Sequence, residues 1–242
     1  RPYEKENRAM DSKEFENTIW EMIQPMDREN GQQLPRPWFT AFEDPQKARV
    51  FVVGANQKNG YDPSEIDVMR HFNGLFSREG ETCRGIYEEA GGRSKTRAQI
   101  DNLITRKLSN CGVNDVLETN LVCRSSRQFS DLDATERDQG SEIFSFLIKT
   151  ISPEIVILFG KGVIKGFARW VTRSTADSDY RGLSERLIHA LPDEDSEPRF
   201  IHVNGAAVFC IRGLVQAGWT EWDTWAHAYT DRLADAVCET LK

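Results

Sequence analysis

Four short apolar runs, rich in β-branched and aromatic residues, mark the predicted strands of this chain. They cover residues 50–53, 116–122, 155–159 and 200–203. Because each run is continuously apolar, it is typical of a strand that is buried on both faces of a sheet. The pattern therefore predicts a central sheet with other elements covering both of its faces.

Segments with helical spacing of apolar residues lie between and around these strands. Ser94 is expected to cap one helix, a second follows Asp133, and further helices are expected after Ser12 and near the end of the chain. Strands that return through crossover helices form parallel, right-handed α/β sheets. We therefore predict a three-layer α/β/α fold with a four-stranded parallel sheet. Residues 31–45 and the acidic residues 192–198 are predicted as surface loops.

Composition and charge narrow the possible functions. The 242 residues include 31 Lys and Arg against 38 Asp and Glu, so the net charge is −7 and any nucleic-acid site must be a local patch. No apolar run approaches the roughly 18 residues of a membrane helix, and residues 1–7 lack the apolar stretch of a signal peptide. The five cysteines are far apart, which argues against a disulfide framework or a zinc site and predicts buried thiols. We expect a soluble cytoplasmic protein.

Polar residues collect where the predicted strands end. The first strand runs into residues 54–60, the second into 120–127, the third into 160–162 and the fourth into 202–205. Ligands of open α/β sheets bind at the carboxyl ends of the strands, so these asparagines, cations and histidine are expected to share one rim. The chain has no GxxxxGK[ST], no GxGxxG after the first strand and no GxSxG. Kinase-like, dehydrogenase and α/β-hydrolase functions therefore lose their main support.

These strand ends resemble the motifs of the uracil-DNA glycosylase superfamily over residues 48–218. The segment VFVVGANQKNG is similar to the first motif of that family, a strand ending in G-x-N-P or G-x-D-P, and places Asn56 on its catalytic position. LETNLVCRSS places Asn120 on the asparagine that reads the base edge, and residues 151–167 are similar to the third-strand segment. FIHVNGA places His202 on the second catalytic motif, usually H-P-S.

Two departures from the family pattern bear on substrate choice. Gln57 stands where the first motif has proline, and Val203 and Asn204 stand where the second has Pro-Ser. We expect these changes either to reshape the pocket around a different base, such as the bulky bases that some phages install in their DNA, or to impair the enzyme. A role in phage defence follows as a hypothesis.

The resemblance implies a role for each matched residue. Asn56 would orient the attacking water, and His202 would stabilise the departing base. The base-binding residues would be Gly54, Ala55, Gln57, Phe72 and Asn120, with Phe72 as the stacking ring and Phe76 as its alternative. Lys58, Arg124, Ser125, Arg127, Lys161 and Asn204 would contact DNA, and a loop at residues 204–209 would insert Val208 or Phe209 as a wedge.

The resemblance thus implies a monomeric, monofunctional DNA glycosylase, a single domain over residues 1–242 that needs neither a metal nor an organic cofactor. Its partner would be single- or double-stranded DNA with an extrahelical modified base. A hydrolase of free nucleotides or nucleosides is one alternative, and a non-catalytic DNA or nucleotide sensor of the same fold is another. A merely generic α/β likeness would leave Asn56, Asn120 and His202 apart.

Overall fold

Five strands form one sheet in the computed structural model of the protein, which describes residues 10–24, 34–40, 44–57, 66–92, 94–126, 128–174, 179–213 and 220–242. The strands are β1 (Val50–Gln57), β2 (Val116–Ser125), β3 (Ile155–Phe159), β4 (Phe200–Val203) and β5 (Ala206–Ile211). Their order is β2-β1-β3-β5-β4, in which the first four are parallel and β4 is antiparallel to β5. The predicted α/β class is confirmed, but the sheet has five strands, and its fourth parallel strand is β5.

Helices cover both faces of the sheet. They are α1 (Ser12–Ile23), α2 (Val68–Leu75), α3 (Cys83–Glu89), α4 (Lys95–Asp101), α5 (Ala134–Ile151), α6 (Lys161–Ser174), α7 (Tyr180–His189) and α8 (Thr220–Thr240). A π-helix, Asn102–Leu108, continues α4, and short 3₁₀ helices cover Pro45–Lys47 and Phe129–Asp131. Alternate strand residues pack on α1, α2, α3, α5, α6 and α7 on one face, and on the π-helix and α8 on the other. This arrangement is the predicted three-layer α/β/α architecture.

Local capping explains where two of the predicted helices begin. Ser94 accepts a hydrogen bond from the backbone N–H of Arg97 at 3.0 Å, as predicted for the cap of α4. The cap of α1 is Asp11 and not Ser12, because its carboxylate accepts from the N–H of Glu14 at 2.9 Å. Both helices start at a side chain that satisfies an otherwise unpaired backbone donor.

A two-residue turn, Asn204-Gly205, joins β4 to β5. Both residues have positive φ, 50° and 89°, as a type I′ hairpin turn requires. The predicted wedge loop at residues 204–209 is therefore wrong beyond the turn. Val208 and Phe209 lie within β5, 0% and 1% exposed, and cannot enter a duplex.

The predicted surface loop at residues 31–45 is also wrong over its described part. Residues 34–39 are all buried, and Trp38 is among the largest fully buried side chains of the described chain. The acidic loop behaves as predicted, since residues 193–195 are exposed. The buried stretch 34–40, called the 34–40 segment below, forms a wall of the site.

The cysteines differ from the sequence-based expectation in one respect. Cys83, Cys123 and Cys210 are buried thiols, as predicted, but Cys111 and Cys238 form a disulfide across a sequence separation of 127 residues. None of the described helices is both long enough and apolar enough to cross a membrane.

Candidate functional site

One face of the sheet changes from apolar to polar toward the carboxyl ends of β1, β2 and β3. At the amino ends it presents Val50, Val52, Val116, Ile155 and Ile157, which belong to one buried cluster. Side chains two residues apart in a strand share a face, so the same rows continue as Gly54, Glu118, Asn120 and Phe159. The register pairs Val52 with Glu118 and Gly54 with Asn120.

These polar ends line a cavity of about 390 Å³, which we call the strand-end cavity. Its walls come from the 34–40 segment, from α3 and from the first turns of α4. The lining residues are Arg36, Trp38, Phe39, Gly54, Ala55, Asn56, Gln57, Tyr87, Ser94, Thr96, Arg97, Ile100, Glu118, Asn120 and Phe159. Four aromatic rings and several amide or charged groups in one concave site are typical of a pocket for a flat polar ligand.

Gly54 allows Asn120 and Phe159 to meet over the backbone of β1. A Cβ atom at this position would lie 2.6 Å from Oδ1 of Asn120 and 2.8 Å from Cζ of Phe159. Both distances are shorter than van der Waals contact, so any larger residue would displace an amide and a ring together. The predicted role of Gly54 is therefore consistent with its position beneath these two side chains.

The orientation of Asn56 follows from its hydrogen bonds. Its Nδ2 donates to Oγ of Ser126 at 2.8 Å, and that hydroxyl donates to the carbonyl of Gln128 at 2.7 Å. Because the single hydroxyl proton of Ser126 goes to a carbonyl, its oxygen must accept from Asn56. The amide of Asn56 is thereby held with Oδ1 as its remaining group.

Gln57 is structural, which corrects its predicted role in base binding. Its Oε1 accepts from the backbone N–H of Arg36 at 2.8 Å, and its Nε2 donates to the carbonyl of Leu34 at 2.9 Å. Both ends of the amide are therefore committed to the backbone of the 34–40 segment. Gln57, which stands where the similar motif has proline, therefore holds a wall of the cavity in place and has no amide group left to bind a base.

Two further buried polar residues hold the same segment. Nε2 of His71, on α2, lies 2.7 Å from the carbonyl of Pro35, and the hydroxyl of Thr119 donates to the carbonyl of Pro37 at 2.6 Å. A carbonyl only accepts, so His71 carries its proton on Nε2. Burial lowers the pKa of His71 to about 4, with the nearby positive charge of Arg36 acting in the same direction.

The charged residues that line the cavity are Arg36, Arg97 and Glu118. Arg97 donates to Glu118, with Nη1 to Oε1 at 2.8 Å, and both side chains are mostly buried. Burial opposes the charge on Arg97, but its attraction to Glu118 and Asp101 outweighs burial and raises its pKa. The guanidinium carbons of Arg36 and Arg97 lie 4.8 Å and 4.3 Å from the centroid of the Phe39 ring. Both cations are therefore close enough to the ring for a cation–π interaction.

The predicted catalytic pair does not meet. His202 pairs with Ala207, Ala207 pairs with Ile155, and Ile155 pairs with Val50 at the start of β1. Because β4 is antiparallel, His202 lies at the amino ends of the parallel strands, about 20 Å along the strand direction from Asn56. The prediction that His202 acts together with Asn56 in one catalytic site is therefore wrong, because the two residues lie at opposite ends of the sheet.

The same reversal removes one of the predicted DNA contacts. Asn204 occupies the exposed turn between β4 and β5, also at the amino ends of the parallel strands, and so lies away from the strand-end cavity.

Phe72 was predicted as the stacking ring and Arg124 as a DNA contact, but both side chains pack against other parts of the protein. Phe72 packs against Trp20 and Phe76, each at 5.0 Å between ring centroids, and does not line the strand-end cavity. Arg124 is 6% exposed, with Nη2 at 3.7 Å from Oε1 of Glu136, and burial lowers its pKa. A side chain in that position is not presented to a phosphate.

The remaining predicted DNA contacts divide by position. Lys161 is exposed and begins α6 directly after β3, so it lies at the carboxyl ends of the strands as predicted. Ser125 pairs with Gln57 where β2 ends at the same rim. Lys58 and Arg127 lie outside the described residues.

Sequence reasoning missed the 34–40 segment, Phe159 and the Arg97–Glu118 pair. Strand alternation could have identified Phe159, because it is the last residue of a predicted strand and lies two positions after the buried Ile157. The described residues contain no group of three or more His, Cys, Asp or Glu side chains placed to hold a metal ion. No protein-family model matches this chain, and no curated protein matches it.

Proposed function

We propose that the protein is a monofunctional DNA glycosylase, which hydrolyses the N-glycosidic bond of an extrahelical base held in the strand-end cavity. The observation that carries the proposal is the meeting of Asn56 and Asn120, from two neighbouring strands, in one aromatic-walled cavity. A glycosylase must hold a flipped base by its hydrogen-bonding edge and against a ring. The two amides and the ring of Phe159 supply both kinds of contact.

Asn120 is the group that would read the base. Its carboxamide offers two donors and an acceptor, which suit the mixed edge of a pyrimidine or purine. It lies over Gly54 beside Phe159, so a base bonded to the amide would have a ring within reach for stacking. Phe159 thus takes the role that the resemblance gave to Phe72.

Asn56 would position the attacking water. The Ser126 contact fixes its amide and leaves Oδ1 to accept a hydrogen bond from that water. The water oxygen bonds to C1′ of the sugar as the bond from C1′ to the base breaks, and the base leaves with the electron pair. An amide does not accept the proton, which passes to solvent, so we expect slow turnover that depends on stabilising the departing base.

Arg36 would stabilise the departing base in place of His202. The base carries negative charge as it leaves, and Arg36 brings a buried cation to the cavity wall. A well-placed donor to a developing anion contributes about 3 kcal/mol, or about 100-fold in rate.

The decisive experiment measures base release. Labelled single- and double-stranded DNA carrying uracil, deaminated purines, or hydroxymethylated or glucosylated cytosine is incubated with the protein and cleaved with alkali at abasic sites. We expect cleavage at one modified base, lowered at least about 100-fold by Asn120→Ala or Arg36→Gln and partly restored by Arg36→Lys. His202→Ala is the matched control and should retain activity. Absence of cleavage with every base would refute the catalytic proposal.

A non-catalytic DNA or nucleotide sensor is the second candidate. It is favoured by the state of Glu118, the one carboxylate among the described residues that line the cavity, which is bound to Arg97 and is not poised as a base. Tight binding of modified DNA without base release, abolished by Asn120→Ala, would support the sensor. Release of bases from free nucleosides but not from DNA would instead support a nucleoside hydrolase.

A further inference from the structure

A second cavity lies at the carboxyl ends of the strands, between α5 and α6, with a volume of about 640 Å³. We call it the basic groove. Its cations are Arg137, Lys165, Arg169 and Arg173, and its aromatic residues are Phe129 and Trp170. Ala55, in β1, lines both this groove and the strand-end cavity, so the two sites meet at the end of one strand.

Helix α6 concentrates positive charge in a chain whose net charge is −7. Lys161, Lys165, Arg169 and Arg173 recur every four residues, and residues 161–174 contain no Asp or Glu. Residues four apart lie along one side of a helix, so these cations form a stripe. One carboxylate, Asp138, is among the described residues that line the groove. The groove is therefore complementary to an extended anion.

The groove also presents aromatic surface. Phe129 is 44% exposed, with the guanidinium carbon of Arg137 at 5.2 Å from its ring centroid. Trp170 is held from behind by Phe144 and Phe167, at 5.3 Å and 5.8 Å between ring centroids. Gly162 also lines the groove, and the space that a Cβ atom would occupy at this position is open, so no side chain covers this part of α6. A planar group can thus approach the helix closely.

We propose that the basic groove binds single-stranded DNA, namely the strand that flanks the base held in the strand-end cavity. Single strands are bound by cations that follow the backbone and by exposed rings on which bases stack. A duplex keeps its bases stacked inside and offers mainly phosphates to such a surface, so Phe129 and Trp170 would have no partner. The inference deepens the proposed function and rests on it for the identity of the strand.

Binding of unmodified oligonucleotides tests the groove without any catalysis. A labelled 15-nucleotide oligo-dT and a duplex of the same length are titrated with the protein at low salt. We expect tighter binding of the single strand. Lys165→Gln, Arg169→Gln and Arg173→Gln together should weaken it at least about tenfold and reduce its salt dependence by about two units in the logarithmic slope. Phe129→Ala should weaken it about tenfold through lost stacking.

A matched control removes three cations elsewhere. Arg106, Lys149 and Arg199 are exposed and line neither cavity, so changing all three to Gln alters the net charge equally. Equal weakening by this control, unchanged binding in the groove variants, or equal affinity for duplex would overturn the inference. Tighter binding of an RNA single strand would overturn the assignment to DNA. Groove-dependent binding without base release would contradict only the proposed reaction, whereas base release that the groove variants leave unchanged would contradict only the groove.

Discussion

Asn120 and Phe159, the two side chains most directly involved in the proposed site, pack over the backbone of Gly54. Gly54→Ala places a Cβ atom 2.6 Å from Asn120 and 2.8 Å from Phe159. Because both neighbours must move, we expect base binding to fall at least about tenfold and the free energy of unfolding to fall by about 1–3 kcal/mol. Titration with modified DNA and chemical denaturation measure the two effects.

Val50→Ala is the matched control for Gly54→Ala. Val50 is fully buried in the same strand, so its truncation lowers stability, but it lies at the other end of β1 from the strand-end cavity. We expect a loss of stability with binding unchanged. Equal binding by Gly54→Ala and the native protein would show that Asn120 and Phe159 do not hold the ligand.

His71 should make stability depend on pH. Its pKa is about 4 in the native protein and about 6.5 in an unfolded chain. As pH falls from about 6.5 to 4, the unfolded chain takes up a proton that the native protein does not, so the free energy of unfolding falls by about 1.4 kcal/mol per pH unit. Above this range both states are neutral, and the effect disappears.

His71→Gln tests this pH dependence. Glutamine can still donate to the carbonyl of Pro35 but does not titrate, so the variant should lose about 3 kcal/mol of the difference in stability between pH 7 and pH 4. Urea denaturation at pH 7, 5.5 and 4 provides the measurement. Carboxylates titrate in both proteins and cancel in the comparison. Parallel curves for the two proteins would mean that His71 is not held neutral.

At the scale of elements, the β4–β5 hairpin decides which predicted residues belong to the site. Asn-Gly between two apolar runs is a strong hairpin signal, and a two-residue turn joins antiparallel strands. The Asn-Gly signal was present in the sequence, but the resemblance of FIHVNGA to a catalytic motif led to the prediction of a parallel strand. The turn at Asn204-Gly205 reverses the chain between β4 and β5. His202 therefore lies at the amino ends of the parallel strands, away from the strand-end cavity.

The position of β4 gives a sharp prediction for His202. Because this histidine is exposed at the amino ends of the parallel strands, His202→Ala should leave base release within about twofold of the native rate, within the spread of ordinary surface substitutions. Asn56→Ala, at the other end, should lose activity in the same assay. A large loss in His202→Ala with stability unchanged would contradict the separation of the two ends.

Strand ends were predictable from the sequence, whereas the walls of the cavity were not. Gly54 and Asn56 follow one apolar run and Asn120 lies toward the end of the next, so parallel pairing alone brings them to one rim. The 34–40 segment reaches the site through side-chain bonds from Gln57 and His71, which are distant in sequence and leave no local pattern. Its prolines indicate a loop, and burial by long-range contacts is invisible to local periodicity.

For the whole molecule, average charge and composition conceal how the surface is organised. A net charge of −7 excludes a generally basic protein, but it is compatible with the stripe on α6, because the acidic residues lie on other elements. The two cavities share Ala55, near the carboxyl end of β1. Sequence reasoning required any nucleic-acid site to be a local patch, and α6 brings its cations to the carboxyl ends of the strands because it begins where β3 ends.

The layer formed by the π-helix and α8 is joined both covalently and by polar contacts. Cys111 follows the π-helix, and Cys238 lies in the last turn of α8. Lys107 adds hydrogen bonds to Thr230 at 2.7 Å and to the carbonyl of His227 at 2.6 Å. The cysteine spacing does not reveal this pair, since two residues 127 positions apart meet only through the packing of two helices.

Reduction of this disulfide should destabilise the protein without disturbing either cavity. Cross-links over long loops restrict the unfolded chain, so reduction should lower the free energy of unfolding by about 2–4 kcal/mol. Thermal or urea denaturation with and without a phosphine reductant measures the effect. Burial raises the pKa of Cys123 and Cys210 to about 12, so we expect these thiols to stay unreactive at neutral pH in the folded protein. A variant with both Cys111→Ser and Cys238→Ser should be insensitive to the reductant, and equal stability of the oxidised and reduced native protein would contradict a stabilising bond.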